Sequence, residues 1–191
     1  TNIINAFGLQ VSDATAVADS MFAAVKGGKT TFGELAASIF QVAPVAASLG
    51  VSFREVNAAL QAVTKQGVPT AVATTQVRQA MVELQKPGKE LAAILEAAGI
   101  ANVKAAIRSE GFASVLGKVA AAADAQGLSL NQIFGSVEAA SAANLLAGKN
   151  AQFFADALKD QAAASGSTSK AFDTMSGTFN QQMKVLQATF D

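Results

Sequence analysis

The chain contains no histidine, cysteine, tyrosine or tryptophan. Without His and Cys it lacks the usual ligands of zinc, copper and haem, any disulfide framework, thiolate chemistry and the commonest general base near neutral pH. The missing Tyr and Trp are the amphipathic rings favoured in binding hot spots and membrane belts. All 12 aromatic residues are Phe, expected mainly as core anchors. Net charge is also absent, with 14 basic and 14 acidic residues and no long single-sign run. A nucleic-acid binder needs a basic stripe to neutralise phosphates, so specific nucleic-acid binding is not expected. The longest uncharged stretch, Leu35 to Phe53, is interrupted by Gln41, Pro44, Ser48 and Gly50. A spanning helix needs about 20 mostly apolar residues. The stretch therefore reads as two buried helices rather than a stable membrane span, with a membrane-active segment as the lesser reading. The start, Thr1 to Phe7, has no basic n-region and reads as the last turns of a helix cut from a longer chain, not as a signal peptide.

What is abundant is alanine, 43 of 191 residues, punctuated by 15 Gly and only 3 Pro. Alanine is the best helix former, and β-branched residues do not cluster into alternating runs. The composition predicts an all-α protein, a compact bundle of short helical hairpins with Gly/Pro breaks.

The breaks are legible. A first helix is predicted from Ser12 to Val25, with Val17, Met21 and Val25 at helical spacing and Gly27-Gly28 as its end. Thr31 and Glu34 form a capping box for the helix carrying Leu35, Ile39 and Phe40. Pro44 kinks or restarts that helix before Gly50, which suits the left-handed position past a helix end. Ser52 and Glu55 make a second box, opening a hairpin of Ser52–Gln66 and Thr70–Gln85. Lys86-Pro87-Gly88 precedes a helix bearing Leu91, Ile94 and Leu95, closing at Gly99. Further helices are expected over 101–108, 112–125, 137–147 and 151–164, with Ser129 and Gln132 as a third box. Ser165 to Ser169 reads as a polar linker. A division follows into a helical core module, residues 1–165, and a C-terminal amphipathic helix, residues 166–191. The latter either packs on the core or continues into the next part of a longer chain. Its stripe of Phe172, Met175, Phe179, Met183, Leu186 and Phe190 is core-facing or partner-facing, and Phe172, Phe179 and Phe190 are the candidate partner face.

Gly50-Val51-Ser52 aligns with Gly127-Leu128-Ser129 at an offset of 77, and Val11-Ser12 and Gly27 align with Val51-Ser52 and Gly67 at an offset of 40. Duplication and shared capping rules both account for this. Other glycines in or near helical segments, Gly8, Gly117, Gly135 and Gly177, either permit close packing or mark bends.

No catalytic or cofactor motif survives inspection. Gly27-Gly28-Lys29-Thr30 has the tail of a phosphate-binding loop, but position 23 is Ala23 and the preceding segment reads as helix rather than strand. Ser167 to Lys170 has Ser-x-x-Lys spacing without companion motifs. Asp156 and Asp160 lie one helical turn apart and read as solvated, Glu34 and Glu55 as capping residues, and Glu90 and Glu96 as exposed. No catalytic, cofactor-binding or metal site is expected, and the chain does not read as an enzyme.

The run from Ala43-Pro44 through Leu49-Gly50-Val51-Ser52-Phe53-Arg54-Glu55-Val56, Ala58-Ala59-Leu60, Thr64, Gly67, Ala80 and Lys86-Pro87 to Ala98-Gly99-Ile100 resembles the core region of phage tail tape measure proteins. A second block agrees in order and distance. It holds Ile133 to Ser136, Ala139-Ala140, Leu145-Leu146, Ala157-Leu158, Ala162 to Ser165, Ala171-Phe172, and Met175-Ser176-Gly177 to Lys184-Val185-Leu186. Between the blocks the family often has an Asp/Gly turn, where this chain reads as helical over residues 101–111. The resemblance implies a structural tail protein of a phage, prophage or tail-like particle, acting in tail assembly and tail-length determination. It implies tail-tube subunits, a tail assembly chaperone and distal tail hub proteins as partners. The implied locations are the virion tail and, during assembly, the host cytoplasm. It carries over no catalytic residue. A homo-oligomer is compatible with it. The competing reading is an amphipathic surface-binding protein of a membrane or granule, favoured by Ala and Phe richness and opposed by the frequent helix breaks.

Overall fold

The computed structural model describes residues 5–176 and 181. Among these the chain is helical throughout, as its composition predicts, and contains no strand. A short 3-10 turn, Val11–Asp13, leads into α1 (Ala14–Gly27). Then follow α2 (Phe32–Ser38), a 3-10 turn (Ile39–Gln41), α3 (Ala43–Leu49), α4 (Phe53–Lys65), α5 (Thr70–Gln85) and α6 (Lys89–Ala97). The second half comprises α7 (Val103–Glu110), α8 (Phe112–Ala125), α9 (Leu130–Ile133), α10 (Val137–Leu146), a 3-10 turn (Gly148–Asn150) and α11 (Ala151–Ala162). Residues 167–176 are helical again.

The predicted boxes set the starts. Thr31 accepts from the Glu34 amide while the Glu34 carboxylate accepts from the Thr31 amide at 2.9 Å, and Ser52 with Glu55 repeats the arrangement at 3.0 Å. Each satisfies two amides that a helix start leaves unpaired. Pro44 restarts the chain at the second position of α3, where its missing donor costs nothing. The helices before and after it are inclined by 57°. Gly50, with φ of 89°, then ends α3 in the left-handed conformation, and the Val51 amide reaches back to the Ala46 carbonyl at 2.9 Å. Among the described residues no single helix is long and apolar enough to cross a membrane, and that bent pair matches a span by length and composition only. Its apolar residues Leu35, Ile39, Val42, Ala46 and Leu49 are buried in the bundle.

At the centre lies α4, buried without interruption from Val56 to Thr64. A helix buried all round must have neighbours on every side. Those neighbours are α1, α3, α5, α10 and α11. The two hairpins cross-pair: α4 lies along α11, and α5 along α10. The α5 face of Ala73, Val77, Ala80, Met81 and Leu84 meets an α10 face of Ala139, Ala140, Ala142, Ala143 and Leu146, a small-residue contact that lets the backbones approach closely. The 77-residue offset carries into three dimensions. Gly127 has φ of 69° beside the 89° of Gly50, Ser129 and Gln132 form a box as Ser52 and Glu55 do, and α5 and α11 end at equivalent positions, Gln85 and Ala162. Shared capping rules do not require the crossed pairing. The 40-residue offset is not matched in this way, because Gly27 ends a helix whereas Gly67 has φ of 97°.

The Phe residues divide. Phe53, Phe112, Phe134 and Phe154 are buried, with Phe112 and Phe154 edge-to-face at 6.0 Å, but Phe32, Phe40, Phe153 and Phe172 are exposed. Their role is thus not only that of core anchors. Gly111 separates α7 from α8, so the middle of the chain is helical where the resembling family often turns.

Candidate functional site

The clusters with a catalytic look resolve into structural roles. Gly27-Gly28 does not open a phosphate cradle but lets α1 approach α4. A Cβ at Gly27 would overlap the Gln61 side chain, and one at Gly28 would lie 2.6 Å from Thr64 Oγ1. Asp156 is partly exposed and pairs with Lys159 at 3.2 Å and with Gln152 at 2.7 Å, and these contacts hold its carboxyl below the ordinary value. Asp160 is exposed, as expected, and also accepts from the buried Gln61 amide at 2.5 Å. Glu90 and Glu96 are exposed. Among the described residues no group of three or more acidic side chains is placed to hold a metal ion.

Residues 165–169, predicted as a linker, form a docking point. Gly166, with φ of 75°, turns the chain so that the next residues open a helix. Their donors converge on Asp19 of α1, itself buried at 4 % exposure. The Gly166 amide donates to Oδ2 at 2.7 Å, the Thr168 amide to Oδ1 at 2.9 Å, the Thr168 hydroxyl to Oδ1, and the Ser167 hydroxyl lies at 3.5 Å. A carboxylate at a helix start satisfies unpaired amides and complements the positive end of the helix. The Thr168 hydroxyl and amide lead in holding the Asp19 carboxyl below its ordinary value, against the opposing effect of burial.

Two further carboxylates do the same across the fold. Glu83 of α5 accepts from the Gly135 amide at 2.7 Å, the Ser136 amide at 3.0 Å and the Ser136 hydroxyl at 2.6 Å, fixing the start of α10. Glu55, beyond its own box, accepts from the Phe112 amide at 2.7 Å and so anchors α8. Gly135 therefore marks a break where its amide is needed, whereas Gly117, inside α8, has open space around it.

Beside the Asp19 clasp, α1, α4 and α11 meet through a buried polar seam. Ser20 donates to Gln161 Oε1 at 2.5 Å, Asn57 Nδ2 donates to Ser20 Oγ at 2.8 Å, and Gln161 Nε2 donates to the Ser20 carbonyl at 3.1 Å. Asn57 Oδ1 and Gln61 Oε1, both buried, have no hydrogen-bond partner among the described residues.

Of the candidate partner face, Phe172 is 70 % exposed, with Met175 near it at 72 %, whereas Phe179 and Phe190 lie outside the described residues. The structure thus places one member of the proposed face on the surface, one to two turns beyond the clasp. Asp19 and Glu83 escaped sequence reasoning because their partners are far along the chain. The one local sign at Asp19 is a carboxylate with no basic residue three or four positions away on its predicted helix.

The model of the family described as phage-related minor tail protein matches residues 1–109, which hold α1 to α6 and most of α7. A probable tape measure protein of Clostridium phage phiCD119 is 33% identical over 86 residues, 45% of this chain and 9% of the relative. The tape measure protein of Pneumococcus phage Dp-1 is 30% identical over 97 residues, 51% of this chain and 8% of the relative. The chain thus matches less than a tenth of the length of either relative. No solved structure matches it. With a family model covering more than half of its residues, the chain belongs to the phage-related minor tail protein family.

Proposed function

We propose that this chain is a folded assembly module of a phage tail tape measure protein, a structural component of the virion tail rather than an enzyme. It acts in tail assembly and in tail-length determination. The observation that carries this reading is the family match over residues 1–109, supported by the two tape measure relatives. Its partners are tail-tube subunits, an assembly chaperone and distal hub proteins, met in the host cytoplasm during assembly. Residues 166–191 are the coupling element, with Phe172, Phe179 and Phe190 as its contact residues, and residues 1–165 are the module that carries it.

Dimensions support a body rather than a measuring rod. Its 191 residues as one straight helix would reach ~290 Å, whereas a compact chain of that length has a radius of gyration of ~16 Å. Among the described residues the longest helix is α5 with 16 residues, and the elements fold back on one another.

In-frame deletion of the segment from its parent, followed by electron microscopy of tails, tests the proposal. Missing or grossly aberrant tails are expected. Tails shortened in proportion to the residues removed would make the segment part of the ruler itself, and normal tails would overturn the role and favour surface binding. Within the coupling helix, Phe172→Asp is expected to leave the melting temperature unchanged while reducing tail yield.

A further inference from the structure

We propose that the Asp19 clasp is a tension joint. When the chain is pulled from its two ends, the contact between α1 and residues 166–168 carries the load first and opens before the alanine-lined core separates. The argument begins with connectivity. The bond from Gly166 to Asp19 spans 147 positions and closes a loop containing α2 to α11. Force entering along α1 and leaving along the C-terminal helix crosses this contact without passing through the loop.

The contact is suited to yield. It consists chiefly of hydrogen bonds to one carboxylate, which depend on close distance and good alignment. Beyond it the C-terminal helix is largely exposed from Ser169 to Met175. On the other side, α1 buries only Met21, Ala23 and Ala24 as apolar residues, beside Asp19 and Ser20. Its other holds are Val17 and Val25, partly buried against the core, the Phe7–Phe53 ring contact ahead of it, and the polar seam, where opening would hydrate the orphaned oxygens of Asn57 and Gln61. The α5–α10 contact combines an apolar face with the Glu83 clasp and lies inside the loop.

Pulling the 191-residue chain through handles at both ends in optical tweezers tests the joint. Peeling residues 5–28 should release a contour length on the order of 80 Å at ~3.4 Å per residue, less the distance the segment already spans when folded, separate from and preceding the much longer rupture of the core. Asp19→Asn should move that first step to lower force or abolish it, while Glu83→Ala should lower only the force of the later rupture. Thr168→Val, which keeps the backbone contacts, should weaken the first step less than Asp19→Asn, and circular dichroism would verify that each variant is folded. A single full-length rupture in the parent chain, or a first step unchanged in folded Asp19→Asn and Thr168→Val, would overturn the proposal.

Discussion

At the scale of single residues, carboxylates organise this molecule more than their neutral sum suggests. Asp19 is ionised below the ordinary value of 3.8 in the folded chain, so its stabilising contribution is complete above that value. The contribution is lost as pH falls through the lowered value, because the protonated group accepts less well from Gly166 and Thr168. As pH is lowered from 5, the amides of Gly166 and Thr168 should therefore keep their hydrogen-exchange protection down to 3.8 and lose it only as pH falls further, after correction for intrinsic rates. In Asp19→Asn they should be poorly protected across the whole range. Glycine gives a paired prediction. Gly28→Ala forces a methyl against Thr64 Oγ1 and the Gln61 backbone and should cost about 1–3 kcal/mol in denaturant unfolding. Gly117→Ala meets nothing within 4 Å inside a helix and should stabilise by about 0.5–1 kcal/mol. The sequence shows both glycines but not their surroundings, since only the fold brings Thr64 against Gly28.

At the scale of elements, the local signals were the readable ones. Thr31 with Glu34, Ser52 with Glu55, Gly50 and Pro44 act on amides within four residues of themselves, so spacing alone reveals them. Docking of one element on another is not local. Glu83 looks in sequence like a surface residue three positions from Lys86, yet it holds the start of α10 through Gly135 and Ser136. The same blindness made residues 165–169 read as a linker, because Asp19 lies almost the whole chain away. Glu83→Ala should lower stability by about 1–2 kcal/mol, as loss of a helix cap does, with protection lost first in α10. Glu90→Ala, at an exposed first-turn position, should change the denaturation midpoint little. For the candidate partner face the amphipathic stripe gave periodicity but not a partner. Of its three Phe residues only Phe172 is described, and it is at the surface.

At the scale of the whole molecule, the question is whether folding or chain length matters to the tail. Alanine richness and frequent breaks predicted a bundle, and α4 enclosed by five helices is the result. The crossed pairing of α4 with α11 and of α5 with α10 was only hinted at by the 77-residue offset, because pairing is decided by the buried faces and not by the caps. Leu60 sits at the middle of α4 and is fully buried. An aspartate there would leave a charge without a partner in the core and should unfold the bundle while leaving the number of residues unchanged. The most direct measurement is therefore tail morphology in particles whose parent protein carries Leu60→Asp, compared with particles carrying the exposed substitution Glu90→Ala. A folded assembly module predicts absent or aberrant tails for Leu60→Asp and normal tails for Glu90→Ala. Normal tails of unchanged length with Leu60→Asp would contradict the account, since only residue count would then matter.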